Sequence, residues 1–424
     1  MESCDATEIF TSARKIPKHI FLFPLTALIL VLLLPILIHF NQTSSKLLHT
    51  TTVVETCNNL FSGKWIPYLE QPYYNQTCPF ITEKQNCLIH GRPDSDFLKW
   101  RWKPDDCELP LFDAKLFFKI VKGKSMAFVG DSIGRNQMES LLCLLNSVKI
   151  GFLEGCGLYE AKTVARPEDI TTKYVSNEEG LTYYKWWYYA DYNFTISMLW
   201  SPFLVKSSKS YIYNTSNFYN PESLYLDEPD TAWTSRIENY DYVIFSGGQW
   251  FFRPFTFYEN GTVVGCQKCN NSIELNFYGY KKAYRTAFKT IMNLERFKGL
   301  AFLVTHSPNH FENGEWNKGG GCNRTQPFSN EQKWDVHPYG LEIIHQIQLD
   351  ELSAAKTDAG EKGSRFGLID ITDAMLMRPD GHPNRFGHAS NKNSSINDCV
   401  HWCMPGPVDT INEIFLYMMM RMKL

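Results

Sequence analysis

Neither sign of charge is in surplus in this sequence. Its 424 residues carry 42 Lys and Arg against 45 Asp and Glu, a formal net charge of −3. No cationic block interleaves with aromatics, so the clustered basic face that a phosphate backbone requires is missing and nucleic acid is excluded as a partner. No glycine-rich dinucleotide or phosphate loop follows any apolar run. Metal-ligand spacing is scarce as well. Cys266 and Cys269 form one C-x-x-C, and Cys399 and Cys403 flank His401, but neither has a second close pair, so no metal is expected. What is abundant is apolar: hydrophobic residues make up 44 % against 21 % charged, which marks a globular chain rather than a disordered one.

One long hydrophobic run is present, Ile20–Ile38, without a single charge. At ~1.5 Å of rise per helical residue it spans a bilayer core of roughly 30 Å. Arg14, Lys15 and Lys18 precede it, which keeps the N-terminus cytosolic. A cleaved signal peptide is the alternative reading. The run exceeds the usual ~7–15-residue signal core, and His39-Phe40-Asn41 offers no small-residue cleavage site, so an uncleaved anchor is expected. The chain then divides into a cytosolic tail (1–19), a transmembrane signal anchor (20–40), a Ser/Thr-rich stem (41–56) and a lumenal remainder.

Cysteine and sequon counts point to the same compartment. Of 12 cysteines only Cys4 precedes the anchor; the other eleven begin at Cys57, as a disulfide framework in an oxidising lumen would. Eleven is odd, so at least one thiol is left without an internal partner. Glycosylation sequons stand at Asn41, Asn75, Asn193, Asn214, Asn260, Asn270, Asn323 and Asn393.

Residues 57–110 hold Cys57, Cys78, Cys87 and Cys107, many Pro and aromatics, and little helical periodicity: a small stapled subdomain. From 111 to 424 the pattern alternates. Apolar runs at Ser125–Gly130, Phe194–Trp200, Tyr240–Ser246, Leu300–Thr305 and Arg365–Ile371 read as strands buried on both faces. Helical stretches such as Arg135–Leu145 intervene, which predicts an α/β domain with a parallel sheet covered by helices on both sides.

Gly130-Asp131-Ser132 follows one such strand and opens a helix. That places Ser132 at the rim where open α/β sheets bind ligands, beside helix N–H groups able to meet a developing oxyanion. Asp-Ser is also an ordinary helix cap, so the motif needs support. Near the C-terminus Asp398-Cys399-Val400-His401-Trp402-Cys403 supplies a histidine base and a carboxylate to orient it, three apart and within reach on one helical turn. His382, in Asp380-Gly381-His382-Pro383, is a rival base, although a plain turn explains it.

With Ile133-Gly134-Arg135-Asn136-Gln137 after the serine and Asp398-x-x-His401, the chain resembles the plant trichome birefringence-like family, of the SGNH/GDSL-type superfamily. Further matching blocks are Trp100-Arg101-Trp102-Lys103-Pro104, Gly91-Arg92-Pro93-Asp94, Ser307-Pro308…His310-Phe311 and Asp380-Gly381-His382-Pro383, so the resemblance covers nearly everything from Cys57 onward. It implies an SGNH-hydrolase-like three-layer fold and an O-acetyltransferase of the Golgi apparatus membrane acting on a cell-wall polysaccharide. Ser132 would be nucleophile, His401 base and Asp398 orienter, with Arg135, Asn136, Gly248, Gln249 and Trp250 as candidate oxyanion or substrate contacts. Many members carry Gly-His-Trp where this chain has Gly248-Gln249-Trp250, a departure that is similar to the subgroup acting on xyloglucan or mannan rather than xylan. The family pattern also implies the pairs Cys57–Cys107, Cys78–Cys143, Cys87–Cys403 and Cys322–Cys399, leaving Cys156, Cys266 and Cys269. No bound cofactor is implied; acetyl-CoA is the expected acetyl donor, delivered directly or through a membrane partner.

Three other readings compete. Asp94-Ser95-Asp96 imitates the D-x-D of Golgi glycosyltransferases, but it lies in the cysteine-rich segment and not after a nucleotide-binding strand. A non-catalytic wall-polysaccharide binder would use Trp186, Trp187, Tyr188 and Tyr189 as a stacking platform. A deacetylating esterase would use the same triad, with water in place of the sugar hydroxyl.

Overall fold

The structure, a computed structural model, describes residues 57–146, 170–176, 183–208, 221–269, 274–332, 340–387 and 397–422. The expected tail, anchor and stem, Cys156, and the sequons at Asn41, Asn214, Asn270 and Asn393 lie outside them. Among the described residues no helix is long and apolar enough to cross a membrane.

The cysteine-rich segment opens with a two-stranded antiparallel hairpin, β1 (Gly63–Pro67) and β2 (Trp100–Pro104), with Trp65 opposite Trp102. Both indoles are buried and both N–H groups are used: Trp65 donates to the Ala374 carbonyl and Trp102 to that of Leu60. Helix α1 (Ala114–Val121) follows, capped by Asp113, whose carboxylate accepts from the N–H of Lys115 and Leu116. Then come β3 (Ser125–Gly130) and α2 (Ser132–Asn146).

The remaining strands are β4 (Ile170–Ser176), β5 (Tyr183–Tyr189), β6 (Phe194–Trp200), β7 (Val205–Ser208), β8 (Glu222–Pro229), β9 (Tyr242–Ser246), β10 (Phe255–Glu259), β11 (Thr262–Gln267), β12 (Leu300–Val304) and β13 (Phe366–Ile369). The longer helices among them are α3 (Tyr278–Asn293), α4 (Leu341–Asp358) and the C-terminal α5 (Asp409–Arg421). The main sheet runs β13-β12-β9-β3-β6-β5-β4. Its first five strands, the five apolar runs of the sequence, are parallel. Along β3 the side chains of Met126 and Phe128 join a core with α1, α2 and α5, while Ala127 and Val129 join one with α3 and α4. A strand facing two apolar layers has no polar face, which is why these runs are continuous.

The sheet is mixed, however, and not parallel throughout. β5 pairs antiparallel with β6, and β4 with β5. A second, four-stranded sheet, β11-β10-β8-β7, lies outside the first. The Trp186–Tyr189 platform is part of β5, and Trp187 and Tyr189 are buried in the core, so they present no stacking surface.

α5 carries two buried carboxylates against the N-terminal segment. Asp409 accepts from Tyr74 Oη at 2.5 Å and Ser140 Oγ at 2.6 Å, and Glu413 accepts from Tyr73 Oη. Burial pushes Asp409 up from an ordinary 3.8 to about 6 and Glu413 from 4.5 to about 7, despite these hydrogen bonds. A raised carboxyl contributes stability that is complete below its unfolded value and lost as pH rises through its folded one. For Glu413 alone the loss between about pH 4 and pH 7 is on the order of 3 kcal/mol. The protein should therefore melt at a higher temperature near pH 5 than near pH 8, and Glu413→Gln should flatten that difference in thermal unfolding followed across the range.

Candidate active site

Ser132 begins α2 directly after the C-terminal end of β3. β3 is flanked by β9 on one side and β6 on the other, so the strand order reverses beside it, and open α/β sheets bind ligands beyond the carboxyl ends of strands at such a point. Two glycines allow the approach. A Cβ on Gly130, whose φ is +150°, would fall 1.7 Å from the Ser246 carbonyl oxygen of β9, and one on Gly134 would fall 3.1 Å from it. Asp131, fully buried, accepts from the N–H of Ile133 at 2.9 Å and of Gly248 at 2.9 Å. Its carboxylate thus ties the serine turn to the end of β9. Burial pushes this carboxyl up, and the backbone donors resist.

Ser132 Oγ lies 2.7 Å from His401 Nε2, and His401 Nδ1 lies 2.8 Å from Asp398 Oδ2. Asp398 Oδ1 accepts from the N–H of Val400 at 3.1 Å and of His401 at 3.0 Å. Burial alone would push the Asp398 carboxyl up. The neighbouring His401, its hydrogen bond and the backbone N–H groups outweigh burial and hold it well below the usual carboxylate range. With Asp398 ionised, His401 Nδ1 donates to it and Nε2 is left to accept the serine proton. The spacing works through a turn, not a helix: Asp398 caps its own turn, and the segment 397–403 is irregular.

A C-terminal loop is a mobile place for a base, and covalent ties offset that. Cys399 is bonded to Cys322 and Cys403 to Cys87, so disulfides sit inside and just after the Asp398–His401 turn. Cys57–Cys107, Cys78–Cys143 and Cys266–Cys269 are the other pairs among the described residues. Polar contacts finish the attachment. Asn136 Oδ1 accepts from the Trp402 N–H at 2.8 Å, and the Trp402 indole donates to Ser307 Oγ at 2.8 Å.

Residues 109–418 match the GDSL/SGNH-like acyl-esterase family found in Pmr5 and Cas1p, and residues 55–108 match the PMR5 N-terminal domain. Protein trichome birefringence-like 19 of Arabidopsis thaliana is 46 % identical over 374 residues, covering 87 % of this chain and 82 % of the relative. The chain belongs to the trichome birefringence-like family. Two further relatives come from Populus trichocarpa. Xyloglucan O-acetyltransferase 4 is 40 % identical over 370 residues (86 % of this chain, 81 % of the relative), and xyloglucan O-acetyltransferase 1 is 38 % identical over 391 residues (88 % and 84 %).

Several residues of this family member stand elsewhere than the sequence suggests. Asn136 is fully buried, and its amide also reaches the Trp402 carbonyl and Met404 Sδ; it clamps the His401 loop and does not face an oxyanion. The Gly248 N–H is committed to Asp131, so it is no oxyanion donor. Gln249 donates to the Ser307 carbonyl at 2.7 Å and lies 3.3 Å from His306 Nε2, which makes it a brace between two loops. Arg135 and Trp250 are both half-buried, and Arg135 also pairs with Glu139 at 3.7 Å. The Arg135 guanidinium lies 6.0 Å from the Trp200 ring, Trp250 packs edge-on against Trp200, and Arg253 covers Trp250 at 4.0 Å. His382 is buried, with Nδ1 on the His401 carbonyl and Nε2 against His310, so neither ring nitrogen of the rival base is left for Ser132. Asp94 pairs with Arg92 and Asp96 with Lys99, and among the described residues no cluster of His, Cys, Asp and Glu is arranged to hold a metal ion. Asp131 was in plain view within the Gly-Asp-Ser motif; its role as a bridge to β9 appears only when the two strands are side by side.

Proposed function

We propose that this chain is an O-acetyltransferase that passes an acetyl group through Ser132 to hydroxyls of xyloglucan, a plant cell-wall hemicellulose. The hydrogen-bonded series Ser132–His401–Asp398 carries the reading, in an acyl-esterase family whose relatives bear xyloglucan O-acetyltransferase names. His401 removes the Ser132 proton as Oγ attacks the acetyl carbonyl, and the Ser132 N–H at the start of α2 meets the oxyanion. The leaving group of the donor, taken to be acetyl-CoA, departs with that proton. A sugar hydroxyl then gives its proton to His401 and takes the acetyl group, restoring the serine. The half-buried Trp250, packed on the buried Trp200, offers aromatic surface for the acceptor, and Arg135 and Arg253 offer cationic surface.

The same reading places the enzyme in the Golgi membrane as a single-pass type II protein with its catalytic part lumenal. The apolar run at 20–38 behind Arg14, Lys15 and Lys18, the sequons and the disulfides support this. Donor acetyl groups then arrive from across the membrane, which calls for a membrane partner that supplies them.

The test incubates the full chain with acetyl-CoA and de-acetylated xyloglucan, glucomannan or xylan oligosaccharides, read by mass spectrometry. Acetyl gain on xyloglucan is expected. Release of acetate from acetylated oligosaccharides with no gain on any acceptor would identify an esterase instead, and gain on glucomannan alone would reassign the acceptor.

A further inference from the structure

Two imidazoles lie behind the triad and outside its proton path. His310, on the loop after β12, and His382, after the Pro379–Gly381 turn, are each only 1 % exposed. His310 Nε2 is 2.9 Å from the Leu376 carbonyl oxygen, and His382 Nδ1 is 2.7 Å from that of His401. A carbonyl oxygen only accepts, so both of these ring nitrogens carry hydrogen. The other two nitrogens, His310 Nδ1 and His382 Nε2, face one another at 2.7 Å. Two neutral imidazoles own one N–H each, and both are already used on the carbonyls. Bare lone pairs at that distance repel, whereas an N–H···N bond there needs one more proton.

We propose that His310 and His382 hold that proton in common, so that the pair is a buried cation with an N–H···N bond at its centre and a backbone carbonyl pinned at each end.

The surroundings are mixed. The His382 ring stacks on Trp402 with centroids 4.1 Å apart, a face that attracts a cation. Asp398 favours the charge on His382 and Glu312 favours it on His310. Against it stand burial, which pushes both rings down, together with His401, Arg324 and the Arg92 guanidinium that donates to the His382 carbonyl at 2.9 Å. Arg378 and Asp380, paired at 2.8 Å on the neighbouring turn, are neutral together. Geometry decides between these tendencies. Without the proton the N···N contact must open, and the core around it leaves both rings buried and already anchored at their far ends.

The consequence falls on His401. Its N–H and its ring both bind Asp398, and its carbonyl is the third point of attachment. A charge-assisted N–H···O bond is roughly twice as strong as a neutral one, so the pair fixes the backbone that aims Nε2 at Ser132. His382 and His310 are therefore positioning residues. Their effect on turnover rests on the acyl-transfer reading; the shared proton does not.

Ring-15N-histidine NMR on the full chain near neutral pH tests the proton directly. One far-downfield hydrogen correlated with two ring nitrogens is expected, and it should vanish in His310→Asn, whose carboxamide donates to His382 Nε2 without adding charge. Two neutral rings in the wild-type chain, each with one protonated and one bare nitrogen, would overturn the proposal whether or not the chain transfers acetyl groups. The positioning role is read separately in the oligosaccharide assay. His382→Ala should lower kcat by about 100-fold with KM little changed, and His382→Asn, which keeps a donor near the His401 carbonyl, should recover part of it. A rise in KM at constant kcat would overturn that role.

Discussion

Ser132→Ala should leave a folded chain that has lost acetyl transfer by at least about 10⁴-fold, with donor and acceptor still bound. The serine hydroxyl bonds to His401 Nε2 at 2.7 Å, and Ser132 is half-buried, so its removal opens no core cavity. Stability should shift by no more than about 1 kcal/mol, the worth of one partly exposed hydrogen bond. The chemical effect is large because every later step runs through the acyl-serine. Asp398→Asn should come close to it, at about 10⁴-fold in kcat, since an amide would let His401 adopt the wrong tautomer while Cys322–Cys399 keeps the turn in place. Single-turnover assays with labelled acetyl donor check both variants. Label on the wild-type protein but not on Ser132→Ala would show the acyl-serine, and unchanged transfer by Ser132→Ala would remove this serine from the chemistry altogether.

How much of this was legible in the sequence depended on which contacts a residue type can announce by itself. Strands β3, β6, β9, β12 and β13 were readable because both their faces meet apolar layers, which forces a continuous apolar run. β5 was not, because Tyr-Tyr-Lys-Trp-Trp-Tyr-Tyr offers rings on either face, and whether a ring meets sugar or core is settled by its partners. Phe118 stands 5.1 Å from Tyr189, and that contact crosses 71 residues of sequence. The short strands of the second sheet carry mixed faces and give little periodicity. At the site, Ser132, Asp398 and His401 were visible from chemistry and spacing, since few other arrangements use those three types. Asn136 was misread for an instructive reason. One turn into α2 it can face either the crevice or the C-terminal loop, and the partner that decides, Trp402, is 266 positions away. A separation of 72 positions likewise hides the His310–His382 contact, which no local pattern marks.

Gly130→Ala should be the most damaging single substitution, and the damage should be to folding before chemistry. Its register partner on the adjoining strand is Ser246, whose carbonyl also accepts from the Asp131 N–H at 3.1 Å. A methyl group 1.7 Å from that oxygen and 2.7 Å from its carbonyl carbon has only backbone to displace, at the junction of the two central strands. The φ of +150° adds strain of about 1–3 kcal/mol for a residue with a Cβ. Separation of β3 from β9 would also release Asp131 from Gly248 and the serine turn with it, so the total should exceed about 4 kcal/mol, among the largest effects of single changes. Little protease-resistant protein is then expected from Gly130→Ala, whether or not the triad residues are intact. Gly134→Ala provides the graded comparison. There the new methyl lies 3.1 Å from the same oxygen on a helix that can shift slightly, so a folded protein weakened by about 1–3 kcal/mol is expected. Folded, protease-resistant Gly130→Ala would mean that strand separation at this point is cheap. In that case the glycine in Gly-Asp-Ser would have to be explained by what it leaves room for above Ser132, not by what it lets approach beneath it.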